Sequence, residues 1–168
     1  KPKLILGPAL PVGTASVEEY ADLMLAEDVA AIDVGTFVER LNAAAPDGIR
    51  FVAARGLAQG EAALTRRIDR ADYLAALRRA RIGAIDLDAA CRALLDRGEI
   101  AGRRKDRTID ARRWLVDVAP AGDSAAALGK AGVVGDLAAV AITVAVGGDG
   151  AGRPSDYLAA LLGALADE

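Results

Sequence analysis

The segment GRRKDRTIDARRWLVDV, residues 102–118, joins the most basic part of the chain to an apolar run. Between residues 103 and 113 only Asp106 and Asp110 oppose its cations, and from Trp114 onward the pattern becomes mainly apolar. This pattern predicts a basic arm or edge that leads into a buried strand. The six cations fall within eleven positions and are Arg103, Arg104, Lys105, Arg107, Arg112 and Arg113.

Charge on either side of this segment is unevenly distributed, although the net charge is only −3. Residues 1–65 carry five basic and nine acidic side chains, a balance of −4. Residues 66–113 carry fourteen and eight, a balance of +6, and residues 114–168 carry two and seven, a balance of −5. A basic middle between acidic ends indicates a cationic face that attracts phosphate or an acidic protein. An ordinary solvated arginine surface would give the same pattern.

The composition excludes several kinds of site. The 168 residues include one cysteine, Cys91, and no histidine. A disulfide within the chain, a Cys/His zinc site, an iron–sulfur cluster and histidine-based acid–base catalysis are therefore excluded. Low cysteine use favours a cytoplasmic location, and no apolar run reaches the roughly 18 residues of a membrane helix. We expect Cys91, on an apolar helical stripe, to be a core thiol.

The first 60 residues predict the order β-β-α-β. Residues 3–6 and 20–26 are expected to pair as antiparallel strands. The Gly- and Pro-rich loop between them, residues 7–13, is expected to be buried through Leu10 and Val12.

A helix and a third strand follow in this prediction. Residues 34–45 have helical spacing of apolar positions, with Asp33 as N-cap and Pro46 beyond the end. Residues 49–54 alternate as a strand would, and a boundary is expected near residues 56–70.

Residues 66–168 predict the order β-α-β-β-α. A clear helical stripe follows Asp86, and Pro154 suits the first position of a last helix. Both units approach the split βαβ, or ferredoxin-like, order. We therefore predict an α+β fold of two incomplete ferredoxin-like units in tandem. Residues 1–60 lack the opening strand and helix, and residues 66–168 lack the closing strand. The other elements predicted in the second unit are a strand at 72–79, one or two strands within 100–118, a loop at 120–135 and a strand at 140–146.

Four segments together resemble the radical SAM-associated domain of unknown function, which is fused to or encoded beside radical SAM proteins. The resemblance spans nearly the whole chain, and its pattern favours strand over helix for residues 72–79. The segments are PKLILGPALPVGTASVEEYADL (2–23), VERLNAAAPDGIRF (38–51), RRKDRTIDARRWL (103–115) and VAITVAVGGDGAGRPSDYLAALLG (140–163).

The resemblance implies an accessory or substrate-recognition role beside a radical SAM protein. A cluster that cleaves S-adenosylmethionine needs three thiolates, and this chain has one. The iron–sulfur cluster and S-adenosylmethionine would therefore lie on the partner, and we expect no cofactor or metal in this chain.

Three functions compete at this point. The first is non-catalytic recognition of a substrate or partner. RNA, bound through the basic face, would be one such ligand. The second is a structural protein–protein docking module that uses exposed sheet edges. The third is an enzyme that uses carboxylates, with Asp110 as the acid–base group, although an Asp between arginines is usually an ion pair with a lowered pKa.

The period-2 spacing of a strand selects the candidate binding residues. It places Arg113 in phase with a cluster at Arg103, Lys105 and Arg107. These four residues are the predicted polyanion or partner site. Arg104 and Arg112 are expected to pair with acidic neighbours or to lie over apolar surface.

Overall fold

The computed structural model describes residues 3–7, 10, 14–25, 33–58, 60–147 and 150–166. These residues form a mixed α and β structure with antiparallel sheets and five helices. The strands are β1 (Lys3–Leu6), β2 (Ala21–Met24), β3 (Arg70–Arg78), β4 (Ala101–Arg104), β5 (Arg107–Asp110), β6 (Leu115–Pro120), β7 (Leu137–Gly147) and β8 (Gly150–Ala151). The helices are α1 (Val34–Ala44), α2 (Arg79–Ile82), α3 (Leu87–Leu95), α4 (Ala125–Lys130) and α5 (Pro154–Ala166).

The central sheet is built on β7, which lies between β3 and β6 and is antiparallel to both. The register of β3 runs from the Arg70–Ala145 pair to the Arg78–Leu137 pair. A bulge interrupts β6 just after Leu115, and β8 folds back on the end of β7. Because β3 and β6 are both antiparallel to β7, they run parallel to each other, with α3 between them in the chain.

Alternation along β7 explains the core. Val140, Ile142 and Val144 share one face of the strand and are fully buried there. Burying such a side chain contributes about 1.5–3 kcal/mol. Within the described part of the chain, the main buried cluster draws only on residues between 77 and 161. Its other members are Leu77, Ile82, Cys91, Leu94, Ile100, Ala111, Trp114, Leu115, Val118, Ala138, Tyr157 and Leu161.

Three elements predicted for the first 60 residues are confirmed. Strands β1 and β2 pair antiparallel. Helix α1 begins after Asp33, whose Oδ2 accepts a hydrogen bond from the Thr36 N–H at 2.8 Å. The helix ends before Pro46, but none of its side chains is fully buried.

The predicted strand at residues 49–54 is wrong, so the β-β-α-β order lacks its last strand. The Asn42 side chain takes the place of a neighbouring strand at Phe51. Its Nδ2 donates to the Phe51 carbonyl at 2.9 Å, and the Phe51 N–H donates to its Oδ1 at 2.7 Å. Val52 is 87% exposed. Leu10, expected to be buried, is 41% exposed, and Val12 lies outside the described residues.

Within residues 66–168, the strand predicted at residues 72–79 is confirmed as β3, and α3 and α5 begin after Asp86 and at Pro154 as predicted. The run at 100–118 forms three strands, and the predicted loop at 120–135 contains α4, whose alanines favour helix. No helix in the described ranges combines the length and apolar character needed to span a membrane.

Candidate polyanion-binding surface

The basic segment folds into a hairpin, with β4 and β5 joined at Lys105 and Asp106. Lys105 takes a φ of 52°, which closes the turn. Arg104 pairs directly with Arg107, so these two side chains leave the same face of the ribbon. Arg103 pairs with Thr108 on the other face. The straight-strand geometry that put Arg103 and Arg107 on one face is therefore wrong.

The inner face of this hairpin is fixed to the start of α5 by an ion pair. Arg104 Nη1 donates to Asp156 Oδ2 at 2.8 Å, and its Nη2 donates to the Ala151 carbonyl at 3.0 Å. The Arg104 and Asp156 side chains are only 23% and 10% exposed. A Cβ on Gly102 would stand 3.0 Å from Asp156 Oδ2, so glycine permits this close approach.

Sequence reasoning missed Asp156 as the partner of Arg104. The two residues are 52 positions apart, and only the packing of α5 on β4 brings them together. The available signal was the acidic residue in the first turn of α5, which the helix dipole favours without indicating a partner.

Arg112 binds backbone carbonyls at and just beyond the end of α3 and at the start of β6. Its guanidinium donates to the carbonyls of Leu95, Arg97 and Leu115 at 2.9, 3.0 and 3.0 Å. The last carbonyls of a helix lack partners within the helix, so Arg112 acts as a C-terminal cap. The partners of Arg104 and Arg112 are thus Asp156 and these carbonyls, in place of Asp106 or Asp110.

Asp110 is an anchor for the backbone on either side of the hairpin. Its Oδ1 accepts hydrogen bonds from the N–H groups of Ile100 at 3.0 Å and Arg112 at 2.9 Å. These bonds are the main reason why the pKa of Asp110 is lowered, and the charges of Arg113 and Arg112 lower it further. The carboxylate therefore stays ionised at neutral pH, which does not favour a general-acid role.

The four predicted site residues, Arg103, Lys105, Arg107 and Arg113, are all exposed. In the part of the chain that the structure describes, none of them forms an ion pair with a carboxylate. Lys105 and Arg107 help to line a shallow concavity at the hairpin tip. Arg113 places its guanidinium carbon 4.0 Å from the centroid of the Trp114 ring. The four cations thus face solvent, while the other two are half-buried and bonded.

Nothing among the described residues forms a cluster of three or more His, Cys, Asp or Glu suited to a metal ion. Cys91 is buried in the core cluster, and burial raises the pKa of its thiol. A buried thiol with a raised pKa is a poor nucleophile, which fits the core role expected for it.

Comparison with known proteins identifies one family. Neither the curated proteins nor the solved structures include a match to this chain. One family profile matches residues 1–153, a range that contains β1–β7, the basic hairpin and Trp114. The chain therefore belongs to the bacterial family described as "Uncharacterized protein conserved in bacteria (DUF2344)".

Proposed function

We propose that the chain is a non-catalytic recognition domain that binds RNA through Arg103, Lys105, Arg107 and Arg113. The observation that carries this proposal is that these four exposed cations lie within eleven consecutive residues and have no carboxylate partner among the described residues. Cations that are not already neutralised can each displace a counterion from a phosphate, which is the main source of affinity for nucleic acid.

The charge distribution supports the same location. The segment with a balance of +6 contains the hairpin, whereas the flanking segments are acidic. A polyanion is therefore repelled by most of the chain and attracted to this part of it.

The partner in this proposal is a radical SAM protein, as the sequence resemblance implies. The iron–sulfur cluster and S-adenosylmethionine would belong to that partner, and this chain would present the substrate or bind the partner. The setting would be the cytoplasm, where a buried single thiol such as Cys91 is stable in reduced form.

The architecture in this proposal is a tandem of incomplete ferredoxin-like units, residues 1–60 and 66–168. The strand order β3-β7-β6, with α3 between the two parallel outer strands, supports a split βαβ unit in the second half. The β1–β2 pair followed by α1 supports a shorter unit in the first half.

The test compares two quadruple variants in titrations with bulk tRNA at several salt concentrations. The first changes Arg103, Lys105, Arg107 and Arg113 to Ala. The matched control changes four exposed arginines away from the hairpin: Arg40, Arg50, Arg66 and Arg81.

The hairpin variant is expected to bind at least tenfold more weakly than the parent. For this variant, the slope of the logarithm of the binding constant against the logarithm of the salt concentration should be shallower. The slope should decrease by roughly 0.7–0.9 for each phosphate that the variant no longer neutralises. The control should change both quantities much less. Equally weakened binding in the two variants would place the site elsewhere.

A docking module is the second candidate function. Leu4, Leu6 and Met24 on the β1–β2 pair are all more than half exposed. In the described residues this pair has no third strand, so its outer edges are available for strand addition. A parent protein that shows no salt-dependent binding of tRNA would favour this candidate over the first.

A further inference from the structure

Trp114 is the single tryptophan of the chain and is held firmly in place. The residue is 9% exposed and ends the 3-10 turn Arg112–Trp114. Its backbone N–H donates to the Ala111 carbonyl at 3.1 Å. Gly150 lies against the indole, because a Cβ there would stand 3.4 Å from Cζ2. The ring is therefore a fixed support for whatever lies over it.

Arg113 lies on this support. Its guanidinium carbon is 4.0 Å from the ring centroid, which is contact distance for a cation over an aromatic face. The residue is exposed, so the guanidinium contacts the indole and also reaches solvent. A guanidinium is planar, and a fixed plane in solvent can stack on a nucleobase.

One cation of the hairpin, Arg104, lies near the same ring. Arg104, whose guanidinium carbon is 5.8 Å from the same ring centroid, pairs across the hairpin with Arg107. Lys105 follows at the turn. A base stacked on Arg113 would thus have cations for its neighbouring phosphates next to it.

We infer that the Arg113–Trp114 pair is a stacking platform for an unpaired nucleobase, so that the RNA this surface takes is single-stranded. The inference rests on the proposed RNA-binding function and specifies the form of the RNA. Bases inside a duplex are stacked on each other and cannot reach such a platform, whereas those of loops and single strands can.

Trp114 fluorescence provides a direct test, because no other tryptophan contributes to the signal. Three probes are titrated into the full chain at one salt concentration: a 12-nucleotide oligouridylate, the 12-base-pair duplex of oligouridylate with oligoadenylate, and inorganic polyphosphate. We expect the single strand to change the Trp114 emission and to bind at least fivefold more tightly than the duplex.

Arg113→Lys keeps the charge and removes the plane. This variant should weaken oligouridylate binding at least fivefold and polyphosphate binding by less than twofold. The matched control, Arg81→Lys, changes an exposed arginine outside the proposed binding surface, and it should change both affinities by less than twofold.

Two results would overturn the inference. If duplex and single strand bind equally and Arg113→Lys changes neither, the platform is absent while polyanion binding by the hairpin still holds. If none of the three probes binds the parent protein, the platform and the proposed function fail together.

Discussion

The carboxylate of Asp156 is nearly buried, and the Arg104 guanidinium balances its charge. This carboxylate receives the Arg104 guanidinium at 2.8 Å, with the two side chains 10% and 23% exposed. The Asp88–Arg92 pair on α3 is the natural comparison, because it is separated by 3.8 Å and both side chains are well exposed. Burial should therefore give the two pairs very different effects on the free energy of unfolding.

Asp156→Asn is expected to lower the free energy of unfolding by about 2–4 kcal/mol, since it leaves Arg104 half-buried without a counter-charge. Asp88→Asn should lower it by less than about 0.5 kcal/mol, as exposed helix pairs do. Urea unfolding of the two variants at pH 7 measures both values. Equal decreases would mean that the Arg104–Asp156 pair contributes no more than a surface pair.

Tyr157 is fully buried, and its hydroxyl donates to the Ala111 carbonyl at 2.9 Å. Burial, followed by the Asp156 charge, raises the pKa of Tyr157 from 10.0 to about 12. The folded protein thus holds the phenol proton more tightly than the unfolded chain does. This contribution is complete below about pH 10 and is lost as the pH rises from about 10 to about 12.

Tyr157→Phe should be less stable than the parent by about 0.5–1.5 kcal/mol at pH 8, the usual value of one buried hydrogen bond. The difference should shrink by about 1 kcal/mol at pH 11, because only the parent loses the phenol contribution. Urea unfolding at both pH values checks this. A difference that stays constant from pH 8 to pH 11 would contradict the raised pKa.

At the level of elements, the end of α3 depends on a residue outside the helix. Arg112 donates to carbonyls at or just beyond its end, whereas the Arg113 guanidinium lies over the Trp114 ring and forms no ion pair among the described residues. These neighbouring arginines have the same charge and differ in their bonding. They therefore separate structural from ligand-facing cations within one segment.

Arg112→Ala should lower the free energy of unfolding by about 1–3 kcal/mol, because charge-assisted hydrogen bonds are removed and carbonyls are left without partners. Arg113→Ala should cost no more than about 1 kcal/mol, the value of an exposed cation–π contact. Thermal unfolding followed by circular dichroism gives the ranking. The reverse ranking would contradict the assignment of Arg112 as the cap.

Local sequence patterns correctly predicted the helices and strands that are marked by their own residues. The Asp33 and Asp86 caps and the alternation in β7 are of this kind. The hairpin turn was missed because Lys105 and Asp106 are not the Asn-Gly type that marks such turns, and φ at Lys105 is set by the pairing of β4 with β5. Tertiary packing determined the rest of the site.

The strand predicted at residues 49–54 failed for a related reason. Alternation is enough for a strand only when another strand lies beside it, and here the Asn42 amide satisfies Phe51. Which of the six cations are exposed follows from the partners of Arg104 and Arg112, and those partners are distant in sequence. Sequence periodicity separated Arg104 and Arg112 from the other four cations, but it did not identify these partners.

At the level of the whole molecule, burial is concentrated in one part of the described chain. The main core cluster lies between residues 77 and 161, whereas β1 and β2 carry exposed Leu4, Leu6 and Met24. Regions with few buried side chains open locally at lower free energy than the core does. The β1–β2 sheet and the central sheet around β7 should therefore differ in the rate of amide hydrogen exchange.

Amides of β7 at Val140, Ile142 and Val144 should exchange only through global unfolding, and their protection should follow the free energy measured in urea. Amides of β1 and β2 should exchange at least tenfold faster and respond little to the destabilising Asp156→Asn substitution. Hydrogen exchange followed by NMR distinguishes the two groups. Equal protection in both sheets would contradict a core centred on β7.

The central claim is that the β4–β5 hairpin and the adjoining Arg113 form the RNA-binding surface, and NMR mapping tests its location most directly. Single-stranded oligouridylate is added to the ¹⁵N-labelled chain, and the amide and Trp114 indole shifts are followed. We predict that the largest changes fall within residues 101–114 and at the Trp114 Nε1–H, while residues 3–24 stay unchanged. Changes confined to residues 3–24, or no changes at saturating RNA, would contradict the claim.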